Sequence, residues 1–243
     1  MKSAVTGLDA DIRPVSARSA LIRILIAADS PTMTAREICA ATTAVGYPEA
    51  TVRVAVSRMV AAGDLLRERR AYTLTPGLRA RRTELAAPHT VTWNGDWEQV
   101  LVTATGRPAA DRAALRTTLL SLRLAELREG VWMRPANLVR AWPSGLDDTT
   151  YRLRTHPVDD AVALTRRLWP LDEWSARART LLDAIDNPDT TAKFAAVCAG
   201  LDHLTTDPVL PAELRPTEWP TDLLRTTTAA YLTWFRELGQ QVR

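Results

Sequence analysis

The chain has 243 residues, of which 46% are hydrophobic and 24% are charged, and its net charge is +3. This composition is typical of a folded globular protein and excludes global disorder. No run of about eighteen apolar residues occurs, so we expect no membrane span. The two cysteines, Cys39 and Cys198, lie far apart, and we expect both as small buried side chains in a reducing cytoplasm.

The charge is unevenly distributed along the chain. Residues 1–90 hold thirteen lysines and arginines against eight acidic residues, whereas the remainder holds eighteen against twenty. Within residues 48–82 there are eight arginines and three acids. A basic N-terminal third on a slightly acidic body indicates a nucleic-acid-binding segment, although a solvated arginine-rich face would give the same count.

The first 88 residues show helix-spaced apolar residues followed by two short strands. Thr34 and Glu37 have the spacing of a capping box that opens a helix, and Gly63 suits a left-handed helix end. A basic tip at residues 67–70 separates the strands. This order predicts a winged helix-turn-helix domain over residues 1–88. The predicted elements are helices near 17–28, 34–46 and 48–63, with Pro48 in the first turn of the third, and strands at 65–66 and 72–74.

A boundary is expected at Pro88, and strand and helix patterns then alternate. We predict a small ferredoxin-like α+β domain over residues 89–158, with a turn at 93–97, strands at 98–105, 131–134 and 150–153, and a helix at 111–122. Residues 159–243 predict a helical C-terminal domain interrupted by an ordered, proline-stiffened loop between 207 and 220. The fold class is therefore multidomain α+β. The C-terminal helices are expected at 161–168, 174–185, 190–203 and 221–238.

The third helix carries the sharpest functional signal. Val52, Val56, Met59 and Val60 form its apolar stripe, so its other side chains face outward. A recognition helix needs short side chains that fit the major groove and arginines that reach guanine edges or phosphates. We therefore predict contacts with double-stranded DNA from Thr51, Arg53, Val54, Ser57 and Arg58.

Four further residues are predicted to lie near the DNA backbone. Arg69 and Arg70 stand at the hairpin tip, where they would contact phosphates or enter the minor groove. Arg18 and Thr34 stand at helix starts, where the helix dipole favours an anion.

No constellation of residues typical of catalysis was found. The three histidines lack ligand spacing, the predicted strand 98–105 ends without carboxylates, and no phosphate-binding glycine loop occurs. We therefore expect no catalytic residue, metal or cofactor. The predicted DNA contacts favour a regulatory DNA-binding protein, and two alternatives stay open: a metal-dependent nuclease that docks through its winged helix, with Asp96 as its best acid, and a scaffold whose winged helix binds protein.

The chain resembles the PaaX family of bacterial transcriptional regulators along nearly its whole length. Many winged helices share the first of the similar stretches, but all of them in this order make the resemblance specific. The similar stretches are Ala17-Arg18-Ser19, residues 51–60 (TVRVAVSRMV), 63–66 (GDLL), 93–97 (WNGDW), 130–138 (GVWMRPANL), 168–171 (LWPL) and 207–220 (DPVLPAELRPTEWP).

The resemblance implies a winged helix, a middle domain like the small CRISPR-associated endoribonucleases, and a helical C-terminal domain. The best-known members are homodimeric repressors of phenylacetate catabolism that release DNA when phenylacetyl-CoA binds. By this resemblance we expect a homodimeric repressor with a small-molecule effector, such as an acyl-CoA. The predicted wing, Arg67 to Leu74, is short.

Overall fold

The computed structural model describes residues 12–28, 32–79 and 87–241. Within these residues the chain is a mixed α+β protein that forms two compact units. Of the described residues, 12–28, 32–79, 176–205 and 220–241 form unit 1, and 87–175 and 206–219 form unit 2. The segment predicted as a helical C-terminal domain therefore contributes residues to both units.

In unit 1, three helices precede a β-hairpin. They are α1 (Ala17–Ala27), α2 (Ala35–Ala44) and α3 (Glu49–Ala61), and the hairpin strands are β2 (Leu65–Glu68) and β3 (Ala71–Leu74). A short strand that was not predicted, β1 (Thr32–Thr34), pairs with β3, giving an antiparallel sheet of order β1-β3-β2. The predicted helices and hairpin are thus confirmed, except that Pro48 is the N-cap of α3, one residue ahead of its first turn.

Local signals define the ends of these helices. The capping box of α2 is present, because the Thr34 hydroxyl accepts from the Glu37 amide while the Glu37 carboxylate accepts from the Thr34 amide. Gly63 takes a φ of +75° after α3, and the Asp64 amide donates to the Met59 carbonyl at 2.9 Å. This is the hydrogen bond of a Schellman-type helix end, which requires a left-handed residue.

Two C-terminal helices, α7 (Thr190–Leu204) and α8 (Thr221–Gln241), also belong to unit 1. The turn between α2 and α3 packs on α7. The rings of Tyr47 and Phe194 are arranged edge to face, with their centres 6.3 Å apart. Arg23 of α1 forms an ion pair with Asp202 of α7. Helix α1 buries Ala20 and Ile24 in addition to the predicted face of Leu21, Ile22, Leu25 and Ile26.

Unit 2 contains a four-stranded antiparallel sheet, whose strands are β5 (Trp97–Val102), β6 (Ala125–Arg128), β7 (Val131–Pro135) and β9 (Thr150–Thr155) in the spatial order β6-β7-β5-β9. Val100 and Trp132 pack with Leu115 and Leu119 of the following helix in one core, and Trp97 and Met133 belong to a second core. The predicted strands and the predicted helix, α4 (Ala109–Ser121), are present with shifted ends, whereas β6 and two further strands were not predicted. The two further strands, β4 (His89–Thr90) and β8 (Leu138–Val139), pair with each other. Helices α5 (Ala161–Leu168) and α6 (Leu171–Ile185) follow, and α6 continues into unit 1.

The proline-stiffened loop is ordered, as predicted, and a buried arginine holds it. Arg134 is fully buried and donates to the carbonyls of Pro208 and Val209 and to the Asn137 amide oxygen, at 3.4, 3.3 and 2.9 Å. Burial lowers the pKa of Arg134 to about 9. Asp207 accepts from the Val209 amide, so side chains satisfy the polar backbone of this buried loop.

Candidate nucleic-acid interface

Helix α3 turns a line of small side chains outward. Val52, Val56 and Met59 are buried, at 0%, 7% and 1% exposure. With about 100° per residue, the opposite side of the helix carries Ala50, Val54, Ser57 and Ala61, and all four are exposed. We call these four residues the ridge. Because none of them is large, another molecule could approach the backbone of α3 closely along it.

An arginine stands on each flank of the ridge. Arg53 donates to the Glu49 carboxylate through Nη2 at 2.5 Å and Nε at 3.0 Å. The hydrogen bond and charge of Glu49 raise the pKa of Arg53. Arg58, on the other flank, is exposed and has no ion pair with any described carboxylate. The two flanks therefore differ, because only one arginine is already paired.

Arg18 forms an ion pair with Asp64. Its guanidinium donates to Asp64 at 2.8 Å, and the hydrogen bond and charge of Asp64 raise the pKa of Arg18. Asp64 directly follows the glycine that ends α3, so the ion pair ties the start of α1 to the end of α3. A phosphate contact by Arg18 would therefore occur from a fixed position or require release from Asp64.

The other three predicted residues lie at one end of the three-stranded sheet. Thr34 pairs with Ala71 across β1 and β3, so it lies beside the two-residue turn of Arg69 and Arg70. Arg69 has a φ of +55°, a left-handed conformation that favours glycine or asparagine over arginine. The Thr34 hydroxyl already caps α2, accepting from the Glu37 amide at 3.2 Å.

A groove lies on each side of the ridge. The groove between α2, α3 and the hairpin, here the α2 groove, has a volume of about 1020 Å³, and that between α1 and α3, here the α1 groove, about 660 Å³. Arg53 and Ser57 line the α2 groove, and Thr51, Val54, Arg58 and Arg18 line the α1 groove. The predicted residues of α1 and α3 therefore lie together, in or beside the two grooves that flank the exposed side of α3.

Two arginines of the α2 groove were absent from the predicted set. Arg36 lies in the first turn of α2, and Arg67 lies in β2 with its guanidinium 5.9 Å from the centre of the Tyr72 ring. Sequence signals for both existed. The capping box placed Arg36 at a helix start, and strand alternation placed Arg67 on the same face as buried Leu65.

Within residues 12–28, 32–79 and 87–241, no group of three or more histidine, cysteine or acidic side chains could hold a metal ion. Over the same part of the chain, no helix combines the length and apolarity needed to cross a membrane. Cys198 is buried, as predicted, and burial raises its pKa to about 12, whereas Cys39 is only half-buried.

Comparisons with known proteins assign the chain to a family. Residues 16–77 match the family model described as PaaX-like protein, and residues 90–157 match the PaaX protein central Cas2-like domain. A solved structure, titled uncharacterized protein Rv0674 from Mycobacterium tuberculosis, is 38% identical with a TM-score of 0.82, and the match covers 93% of this chain and 98% of that one. No curated protein gives a significant match.

The structure and the matches therefore define a mixed α+β protein with a basic, exposed helix in its N-terminal segment. The chain belongs to the PaaX family.

Proposed function

We propose that this protein is a sequence-specific DNA-binding transcriptional regulator. Its residues 1–88 would form a winged helix-turn-helix domain, 89–158 a ferredoxin-like domain and 159–243 a helical region. The order of helices and hairpin in unit 1 supports the first assignment. The sheet order β6-β7-β5-β9, with α4 between β5 and β6, supports the second.

The ridge of α3, with an arginine on each flank, is the observation that carries the proposal. A helix enters the major groove only if its leading side chains are short enough to let the backbone approach the base edges. Val54 and Ser57 meet this requirement, and Val54 is 51% exposed although it is apolar. Arg53 and Arg58 would reach guanines or phosphates on either side of the ridge.

The hairpin tip supplies a second point of contact. Arg69 keeps a long cationic side chain at a backbone position where glycine would avoid strain, which suggests a functional reason for arginine there. Arg70 follows it, and Thr34 and the start of α2 lie alongside. We assign this end of the sheet to phosphate contacts, which orient a protein on the duplex without reading its sequence.

The family resemblance extends the proposal to assembly and control. A homodimer would place two α3 helices in successive major grooves of a pseudo-palindromic operator. A small effector, such as an acyl-CoA, would relieve repression by binding the DNA-incompetent arrangement more tightly. Such a repressor, with neither enzymatic activity nor a cofactor, acts in the cytoplasm, where its operator lies.

The first experiment is to sequence the genomic fragments that the purified protein retains, which yields a candidate operator. Operator binding is then measured by fluorescence anisotropy for Arg53→Ala, Arg58→Ala and Val54→Phe, with Arg128→Ala in unit 2 as the charge-matched control. If an arginine reads a base, its replacement by alanine should weaken operator binding by about 1–3 kcal/mol, or roughly 5- to 150-fold in affinity, and relax specificity at one base position. Val54→Phe should block entry of the ridge without changing charge.

Several outcomes would contradict this proposal. Wild-type affinity in all three variants would exclude α3 as the recognition element. Binding without any salt dependence would favour a protein scaffold over a DNA-binding protein. Degradation of DNA or RNA by the purified protein with magnesium, abolished by Asp96→Asn, would favour a nuclease.

A further inference from the structure

We infer that the α2 groove holds one phosphodiester strand of the operator, and that Arg36 and Arg67 hold that strand without reading its sequence. The inference rests on the proposed DNA-binding function and assigns a role to two residues that were not among the predicted DNA contacts. It also implies that the two sides of α3 contribute differently to DNA binding.

The shape of the α2 groove fits an extended chain. Its lining from α2 consists mainly of small side chains, so the surface between α2 and α3 is open along both helices. Arginines from three different elements line the same groove: Arg36 from α2, Arg53 from α3 and Arg67 from the hairpin. The small residues of α2 are Ala35, Cys39, Ala40, Thr43 and Ala44.

The charges of this groove favour a polyanion. Among the described residues, Glu49 is the only carboxylate that lines it, and Glu49 is already paired with Arg53. Arg36 and Arg67 are exposed, and neither has an ion pair with a carboxylate in the described part of the chain. Because its cationic groups are spread over three elements, the groove suits the repeated charges of a phosphodiester chain better than it suits a ligand with a single localised charge.

The α1 groove differs in this respect. Arg18 there is held by Asp64 at 2.8 Å, which leaves Arg58 as the lining cation without a described carboxylate partner. A helix in the major groove is flanked by the two phosphate backbones, one on each side. With the ridge facing the bases, the backbone beside α2 would meet the more strongly positive wall.

Two features prepare Arg36 and Arg67 for this contact. Arg36 lies in the first turn of a ten-residue helix, where the helix dipole adds a favourable potential for an anion. Arg67 extends over the ring of Tyr72, its cross-strand partner, and this cation–π contact restricts the guanidinium before DNA arrives. Less conformational entropy is then lost on binding.

The test measures operator and scrambled-DNA binding over a salt series for Arg36→Ala, Arg67→Ala and the double variant. The control is Arg79→Ala, an exposed arginine of the same unit that lines neither groove. Each single variant should reduce the slope of log K against log salt by about 1, and the double variant by about 2. The ratio of operator to scrambled affinity should stay unchanged.

Ethylation interference identifies the phosphates involved. In the wild type, ethylation should interfere at neighbouring phosphates of the strand beside α2, and in the double variant this interference should disappear while any interference on the strand beside α1 remains. An unchanged salt slope in the double variant, a lost preference for the operator, or interference in the double variant that is reduced equally on both strands would overturn the inference. A wild-type protein with no salt slope would instead overturn the proposed function itself.

Discussion

Replacing Gly46 with alanine tests whether the turn before α3 depends on the C-terminal helix α7. Gly46 has a φ of +89°, and a Cβ atom there would lie 1.9 Å from Thr191 Oγ1 and 3.2 Å from Thr191 Cβ. Rotation about χ1 can move the hydroxyl away, but the Thr191 Cβ stays close. The left-handed backbone costs about 1–2 kcal/mol, and the packing conflict adds about 1–2 kcal/mol, at the lower end for overpacking.

We therefore expect Gly46→Ala to lower the free energy of unfolding by about 2–4 kcal/mol. Gly63→Ala is the matched control, because Gly63 has a φ of +75° and an added Cβ would have no atom of the described residues within 4 Å apart from its chain neighbours. Gly63→Ala should lower the free energy of unfolding only by the backbone strain, about 1–2 kcal/mol. Thr191→Ala removes the hydroxyl and methyl groups but keeps Cβ, so adding it to Gly46→Ala should recover only part of the packing conflict, about 1 kcal/mol at most.

The assay is urea denaturation followed by circular dichroism, with equal m values as the check that the transitions are comparable. The reasoning would be refuted if Gly46→Ala cost no more than Gly63→Ala. It would also fail if Thr191→Ala gave no recovery, since the conflict would then not lie at α7.

Three further predictions concern charge and burial. Glu49→Gln frees Arg53, so binding to both operator and unrelated DNA should strengthen several-fold at low salt in anisotropy titrations, and weaker binding would contradict this. Arg134→Ala leaves buried carbonyls unpaired and should lower the unfolding free energy by about 3 kcal/mol or more in calorimetry, whereas exposed Arg154→Ala should have little effect. Burial raises the pKa of Tyr47 to about 12, above its unfolded value near 10, so stability is lost as pH rises through this window. Tyr47→Phe should reduce that loss between urea midpoints at about pH 9 and about pH 11.5, and an unchanged loss would exclude Tyr47 as its cause.

The elements that carry the candidate site could be predicted because their signals are local. The capping box of Thr34 and Glu37, the glycine after α3 and the 3.6-residue spacing of Val52, Val56 and Met59 each operate within one or two helical turns. The exposed face of α3 follows directly from its buried face. Arg53, Ser57 and Arg58 were therefore accessible to sequence reasoning.

Short strands and ion pairs between elements were not accessible in the same way. Strand β1 has three residues and exists because β3 offers it backbone partners, and Asp64 lies 46 residues from the Arg18 that it holds. Arg36 and Arg67 become neighbours of one groove only when α2 and the hairpin fold against α3. Local patterns contain no information about which distant surfaces meet.

By itself, the sequence determined the helices of the N-terminal segment, the outward face of α3 and the resemblance to the PaaX family, because periodicity, capping and motif order are properties of the chain in one dimension. Only the tertiary structure decided that α7 and α8 join the unit of α3, that Arg18 and Arg53 are already paired, and that the two sides of the ridge differ in charge. These properties arise from contacts between residues far apart in sequence, which form only when burial of apolar surface brings the elements together.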